Sequence, residues 1–146
     1  MPELVWTLTC RTILTDAESN SVSYIEAIHG LAARKLPSRL PKVMLGTVWK
    51  SSTDDDALRM RLRVEAPDGS ELVAMELPEV KFDHQYQRLN VNMAGMEVPE
   101  AGDYSIVVER FTRRRWREEA RVPFNIAVAN DQMSQTEGVP QSTPTD

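Results

Sequence analysis

One window of the sequence concentrates side chains that bind other molecules. From Arg110 to Arg117 it holds five arginines and two aromatic residues in eight positions. Guanidinium groups bind carboxylate or phosphate through several directional donors, and arginine and tryptophan are enriched among the residues that contribute most to protein interfaces. Aromatic rings also stack on nucleic-acid bases. The candidate interaction residues are the following: Phe111, Arg113, Arg114, Arg115, Trp116 and Arg117.

We call residues 110–117 the arginine hairpin, because they lie between two predicted strands. A purely structural interpretation stays open, in which these arginines pair with Glu109, Glu118 and Glu119 across the strands. If the hairpin binds a partner, we expect a protein first, with nucleic acid or another polyanion as the alternative. The 17 Lys and Arg against 22 Asp and Glu argue against a general nucleic-acid binder. The sequence leaves the oligomeric state open.

Three consecutive aspartates, Asp54, Asp55 and Asp56, follow Ser51-Ser52-Thr53 between two predicted strands. Clustered carboxylates on such loops can bind calcium, which prefers several oxygen ligands. The spacing of an EF-hand is missing, and an acidic, solvated turn explains the same residues. We therefore predict no metal and no other cofactor, and we keep these aspartates as the metal candidates to check.

Residues that usually carry catalysis are scarce. The single cysteine, Cys10, excludes a disulfide framework, and it falls on the apolar face of a predicted strand, where a thiol behaves as a small hydrophobe. The two histidines are His29 and His84, and the neighbours Asp83 and His84 point to opposite faces if they lie in a strand. The glycine-rich loops that bind phosphate are missing. We therefore predict a non-catalytic interaction or structural module.

Length and composition predict one domain with a tail. A chain of 146 residues can bury one sizeable core without disulfides. Residues 130–146 contain no aromatic side chain and no Lys or Arg, so they bury too little apolar surface to offset the entropy of ordering them. We expect a β-domain over residues 1–129 and a disordered tail over 130–146. With no secretory signal and no membrane-spanning apolar run, we expect a cytoplasmic protein without membrane contact.

Alternation of apolar and polar residues, the pattern of half-buried strands, dominates the chain. Its clearest case is residues 58–77, where Pro67-Asp68-Gly69-Ser70 separates two alternating runs. The Asp-Gly centre favours a two-residue hairpin turn. The register that this turn sets pairs the following residues: Met60 with Leu77, Leu62 with Met75, Val64 with Val73, and Arg61 with Glu76.

Two other strands carry specific expectations. The first covers residues 4–10 and should bury one face. That face consists of Leu4, Trp6, Leu8 and Cys10. The last strand contains Pro123, which lacks an amide donor and therefore predicts a sheet edge or a bulge at that point.

Residues 24–34 give conflicting signals. Ser23-Tyr24-Ile25-Glu26 is a capping-box pattern, and helical spacing continues through Ile28. A strand would instead place Ile25, Ala27 and Leu31 inward. The residues alone leave helix and strand open.

Several short strands with turn signals between them predict an all-β fold, an antiparallel β-sandwich of immunoglobulin type with about 7–9 strands. Gly102-Asp103-Tyr104, at the start of a late strand, is typical of the tyrosine corner of such sandwiches, and an ordinary core tyrosine is the alternative. For a sandwich, binding of a small ligand, carbohydrate or metal by the end loops is the alternative function. A small hydrolase is the second alternative.

The order of these segments resembles a family of small bacterial β-sandwich proteins known only as a domain of unknown function. The resemblance covers about residues 4–128 and rests on short segments, which are Tyr24–Leu31, Leu36-Pro37, Val64–Gly69, Gly102–Tyr104 and Val122–Ile126. In that family the segment beginning at Tyr24 is a strand, so the resemblance favours a strand there. It implies no catalytic residues.

Overall fold

The computed structural model describes residues 1–53 and 56–129, and within them all regular structure is β. The described residues form 13 strands, more than the 7–9 predicted; nine of these strands have four or more residues, and four have only two. The strands in chain order are β1 (Glu3–Thr15), β2 (Val22–Ala27), β3 (Gly30–Ala33), β4 (Ser38–Arg39), β5 (Met44–Lys50), β6 (Ala57–Leu58), β7 (Met60–Glu65), β8 (Glu71–Glu76), β9 (Val80–Lys81), β10 (Tyr86–Asn92), β11 (Glu97–Val98), β12 (Gly102–Thr112) and β13 (Arg115–Val128).

The strands form two larger sheets and two small ones. The four-stranded sheet has the order β10-β5-β1-β2, and every pair in it is antiparallel. The five-stranded sheet has the order β3-β13-β12-β7-β8, and there only β3 and β13 run parallel. The small sheets pair β4 with β11 and β6 with β9. The tail, residues 130–146, lies outside the described residues.

One apolar cluster joins the two larger sheets. It contains Leu45 and Trp49 from β5 together with Leu62 from β7 and Ile106 from β12, all of them buried. The alternating burial of β7 follows its alternating sequence, because successive side chains of a strand point to opposite faces. The buried Trp49 indole N–H donates to Thr47 Oγ1 at 3.0 Å, so its polar atom is satisfied inside the core.

The β7–β8 hairpin has the predicted register but a different turn. Val64 lies opposite Val73, Leu62 opposite Met75 and Arg61 opposite Glu76. The Gly69 amide donates to the Ala66 carbonyl at 2.9 Å, the Ala66 amide donates to the Ser70 carbonyl at 2.8 Å, and Gly69 has a φ of 88°. The loop therefore has three residues, with a bulge after Val64, and the two-residue turn was wrong. Pro67 explains the difference, because its fixed φ suits the first central position of a type I turn.

The charge pair expected between Arg61 and Glu76 is not the one that forms. Glu76 pairs instead with Arg59, at 2.5 Å, and Arg61 pairs with Glu109 on β12, at 2.6 Å. Arg61 thus pairs with Glu109, the buried residue opposite it on β12, rather than with Glu76, the exposed residue opposite it on β8.

The face that β1 presents to the core changes partway along the strand. Leu4 packs against the core as predicted, but a register shift between Leu4 and Trp6 reverses the following residues. Trp6 is 38% exposed, whereas Thr9 is buried and donates its hydroxyl to the Ile28 carbonyl at 2.6 Å. Cys10 is fully buried, but it lies outside the core cluster, and burial raises the pKa of its thiol. The predicted inward face of β1 was thus wrong for Trp6, whereas the predicted burial of Cys10 is confirmed.

Residues 24–34 form strands, as the resemblance favours, and the helical alternative is wrong. β2 pairs with β1 in the four-stranded sheet, and β3 pairs with β13 in the five-stranded sheet, so the chain crosses between sheets at residues 28–29. A side chain at Gly30 would lie 2.1 Å from the Asn125 carbonyl oxygen, which requires glycine at this crossing. Ile25 is 38% exposed and Ala27 is exposed, so their predicted inward positions were wrong, whereas Leu31 packs against the core as predicted.

Tyr104, buried at the start of β12, makes the predicted contact with nearby backbone. Its hydroxyl donates to the Glu100 carbonyl at 2.6 Å and accepts the Glu100 amide at 3.3 Å. Burial raises the pKa of this phenol. Separately, no helix in the described part of the chain is long and apolar enough to cross a membrane.

Candidate interaction surface

The arginine hairpin connects the two longest strands of the five-stranded sheet. β12 and β13 pair from Gly102 with Ile126 up to Thr112 with Arg115. Arg113 and Arg114 form the two-residue turn, and they have φ values of 51° and 67°. Two consecutive positive φ angles define a type I′ turn, which natural sequences usually fill with Asn-Gly. Two arginines here hold the backbone in a region that side chains disfavour.

The acidic neighbours of the hairpin are engaged by arginines outside it, except Glu119, which pairs with Arg110 of the hairpin itself. Glu109, almost fully buried, accepts Arg61 at 2.6 Å and Arg63 at 3.0 Å. Glu118 pairs with Arg121 at 2.8 Å, and Glu119 pairs with Arg110 at 3.1 Å. These pairs place the carboxylates on the sheet rather than at the turn.

The structural interpretation of the window therefore holds for Arg110 alone. Within the described residues, none of the other hairpin arginines forms an ion pair, and all of them are exposed. These four are Arg113, Arg114, Arg115 and Arg117. These four side chains stay in solvent in the folded protein, so their charges can contact a partner.

The two aromatic rings of the hairpin form a stacked surface with β7. Phe111 and Trp116 meet edge to face, with ring centroids 5.3 Å apart. The guanidinium of Arg59 lies 4.2 Å from the Phe111 ring centre, and that of Arg61 lies 4.5 Å from the Trp116 ring centre. Such cation–π contacts hold flat groups in place on the surface. Both rings are half-buried and lie outside the core cluster.

A chain of ion pairs continues from this stack across the outer face of the sheet. Arg63 reaches Glu65 at 3.0 Å, and Glu65 also accepts Arg121 at 2.5 Å. Hydrogen bonds from Arg121 and Arg63 lower the pKa of Glu65. Val107 is fully buried at the centre of this face although it does not belong to the core cluster. The charged side chains on this face thus pair with one another, in contrast to the arginines of the turn beside it.

Arg59 and Arg61 were missed by sequence reasoning, which confined the site to the hairpin. Their signal was present in the alternation of arginine and apolar residues along β7. Only the pairing of β7 with β12, where Arg61 lies opposite Glu109 and Arg110 opposite Met60, brings that strand to the hairpin.

Of the three metal candidates, only Asp56 lies within the described residues; Asp54 and Asp55 lie outside them. Its carboxylate accepts the Ser52 amide at 2.7 Å, the Thr53 amide at 3.2 Å and the terminal ammonium of Met1 at 3.0 Å. Desolvation acts to raise the pKa of Asp56, but the hydrogen bonds outweigh it, and the pKa lies far below its usual value. The Asp56 carboxylate thus accepts the hydrogen bonds that tie it to the start of its own loop.

The remaining chemical candidates stay apart. His84 lines an open cleft of about 480 Å³ with Ser51, Ser52 and Asp83, and His29 is exposed at the crossing between the sheets. The described residues contain no group of three His, Cys, Asp or Glu side chains that could hold a metal ion. The arginine hairpin and its β7 neighbours remain the densest cluster of binding side chains.

Comparison with known proteins gives a family but no activity. A family of unknown function, DUF6941, matches residues 6–132. The search of curated proteins finds no match. The matched range covers all the strands from the second half of β1 onward, including the arginine hairpin. The chain belongs to this family of unknown function, DUF6941.

Proposed function

We propose that this protein is a non-catalytic interaction module, an immunoglobulin-like β-sandwich that docks onto an acidic surface of a partner protein through its arginine hairpin. The observation that carries the proposal is the contrast in charge pairing. Two of the acids around the hairpin are bound by arginines outside it and Glu119 is bound by Arg110, whereas the other four hairpin arginines are exposed without ion pairs among the described residues.

The strand order supports the sandwich. β13-β12-β7-β8 follows the order G-F-C-C′ of one immunoglobulin sheet, and β2, β5 and β10 follow the order A-B-E of the other. The first strand, β1, is an insertion between the A and B equivalents. Tyr104 lies near the start of the F equivalent and bonds to backbone upstream, which is the position and contact of a tyrosine corner.

Backbone strain at the turn supports a role beyond folding. Arg113 and Arg114 occupy the left-handed region, where each non-glycine residue costs on the order of 1 kcal/mol. Strained residues of this kind concentrate at binding and catalytic sites. Glycine or asparagine would relieve the strain, so the arginines are explained better by a partner than by stability.

The chemistry of the hairpin supports binding rather than catalysis. A guanidinium stays protonated throughout the physiological range, so it cannot act as a general base, but it binds carboxylates through a planar pair of donors. Trp116 and Phe111 add apolar area that is held in place by the Arg59 and Arg61 stack. Charge at the rim with an aromatic centre is the usual composition of a protein interface hot spot.

The test is binding of a fluorescein-labelled oligoglutamate peptide to the full chain. Reversing Arg114→Glu and Arg115→Glu together should weaken binding about tenfold or more, and the effect should shrink as salt rises from about 0.1 M to 1 M and the Debye length falls from about 10 Å to 3 Å. The matched control is Arg34→Glu with Lys35→Glu, an equal charge change at exposed residues away from the hairpin.

Equal loss in the two double variants would contradict the proposal, because binding would then follow net charge alone. Affinity capture from cell extract with the same variants extends the test to natural partners. A steep linear fall of log affinity with log salt on a DNA or RNA probe, absent with the peptide, would identify nucleic acid as the partner instead.

A further inference from the structure

The strand β13 has one side without a partner strand over most of its length. β12 pairs with it from Arg115 to Ile126, but β3 covers its other side only from Asn125 to Val128. Within the described residues, no strand pairs with that other side over residues 115–124. We call this the open edge of β13. It begins at the arginine turn and runs along the side of the five-stranded sheet.

The direction of each backbone group on the open edge follows from two hydrogen bonds. The Phe111 amide donates to the carbonyl of Arg59, one residue before β7, at 2.9 Å, so Phe111 and Trp116 form a pair that does not bond to each other. The Trp116 amide and carbonyl therefore point to the open side. At the far end, the Asn125 amide donates to the His29 carbonyl at 2.9 Å, again away from β12.

The direction of the backbone groups alternates along β13, and this alternation identifies the donors that point to the open side. Glu118, opposite Glu109, and Arg121, opposite Val107, share the outward direction of Trp116 and Asn125, and the register shift between Val108 and Glu109 absorbs the extra residue. Pro123 has the same outward parity, so its missing amide removes no bond between β12 and β13. The predicted edge position of Pro123 is thereby confirmed.

An open edge is a template for another strand, and its charges decide which strand fits. The edge carries Glu118 and Glu119, which pair with Arg121 and Arg110. Arg115 and Arg117, at its turn end, form no ion pair among the described residues, and opposite charges in cross-strand contact are stabilising. An acidic strand would meet the same residues with favourable sign. The unpaired arginines at the turn end of the open edge therefore favour an acidic occupant.

We infer that the open edge of β13 accepts an extended acidic segment of a partner protein by strand addition. The segment bonds through its backbone to Trp116, Glu118 and Arg121, and its carboxylates meet the exposed arginines of the hairpin. Backbone bonds provide affinity in this mode of recognition and side chains provide selectivity. The inference rests on the proposed function and specifies how the partner is held.

The experiment compares two synthetic peptides on the full chain. One alternates glutamate and valine; the other has the same sequence with N-methyl groups on alternate backbone nitrogens, which preserve charge and remove donors. Amide hydrogen exchange is followed by NMR at each residue of β13. Strand addition should slow exchange at Trp116, Glu118 and Arg121 about tenfold or more and leave the already bonded Arg117 amide nearly unchanged. The N-methylated peptide should bind at least about tenfold more weakly.

The outcomes separate this inference from the proposed function. Equal binding of both peptides without slowed exchange on β13, but with loss in the Arg114→Glu, Arg115→Glu variant, would overturn strand addition and leave hairpin docking intact. Slowed exchange on β8, the other edge of this sheet, in place of β13 would also overturn it. Absence of binding by either peptide would overturn both proposals.

Discussion

Two hairpins of the five-stranded sheet reverse the chain with different kinds of residue at the left-handed positions of their turns. The β7–β8 turn uses Pro67, Asp68 and Gly69, and its single left-handed residue is a glycine. The β12–β13 turn places Arg113 and Arg114 in the left-handed region. The first turn has residues suited to its backbone, and the second has residues that its backbone disfavours and that, under the proposed function, contact a partner.

The side chains beside the two turns differ in the same way. Asp68 accepts the Ser70 amide at 2.9 Å and the Ser70 hydroxyl at 2.6 Å, so its charge is used inside the loop. The arginines of the other turn form no such bonds within the described residues. The side chains of the first turn bond to each other within the loop, whereas the guanidinium donors of the second turn form no such bonds among the described residues.

The largest effect is expected from the core anchor of the first hairpin. Leu62 is 2% exposed, and Leu62→Ala should lower the free energy of unfolding by about 2–5 kcal/mol through lost burial and the cavity left behind. Its cross-strand partner Met75 is 45% exposed, so Met75→Ala should cost less than about 1 kcal/mol. Urea unfolding of both variants measures the difference. Equal costs would show that the β7 face is not core.

A smaller effect is expected from the glycine of the first turn. A Cβ at Gly69 would meet nothing within 4 Å, so Gly69→Val should cost only backbone strain, about 1–3 kcal/mol. Gly69→Asn should cost less, because asparagine tolerates positive φ. Thermal unfolding of the pair gives the order. If valine and asparagine were equally stable, the turn would not need a left-handed residue.

On the second hairpin, Trp116→Ala should cost only about 1 kcal/mol. The ring lies outside the core cluster and loses an edge-to-face contact with Phe111 and the Arg61 contact. Binding of the oligoglutamate peptide should weaken in the same variant while the fold is retained. Near-complete loss of folded protein would assign Trp116 to the core and remove it from the binding surface.

The smallest effect concerns pH and the first turn. Hydrogen bonds from the Ser70 hydroxyl and amide lower the pKa of Asp68 below its usual value. A carboxyl group with a lowered pKa in the folded state stabilises fully above its unfolded pKa of about 4, and this contribution is lost as pH falls through the folded pKa. The difference in melting temperature between the natural protein and Asp68→Asn should therefore shrink below about pH 4. A constant difference would mean that the charge contributes nothing.

Local patterns predicted what local residues decide. The register of the β7–β8 hairpin follows from alternation around one turn, and the bond from Tyr104 to Glu100 spans four residues. Both are short-range features with a strong sequence signal. The turn type was missed because Pro67 and Asp-Gly favour different loops, and only their combined geometry decides between them.

Long-range features were not predictable in the same way. The register shift after Leu4 reverses the rest of β1, and a bulge of this kind has no residue pattern of its own. The arginine hairpin was found from composition, but the pairing of its neighbour Glu109 depends on Arg61, which lies 48 residues away in sequence. Strand order, rather than neighbouring residues in the sequence, thus decides which acidic side chains are left to pair with the hairpin arginines.

The most direct test of the central claim is a double substitution that gives the second turn the residues typical of its geometry. Arg113→Asn with Arg114→Gly fills the type I′ turn with its preferred pair, and the two residues no longer carry charge. We expect a gain in stability of about 1 kcal/mol together with weaker oligoglutamate binding, both measured on the same preparation by urea unfolding and fluorescence anisotropy. A variant that is more stable and binds as tightly as the natural chain would contradict the account, because the arginines would then strain the turn for no binding purpose.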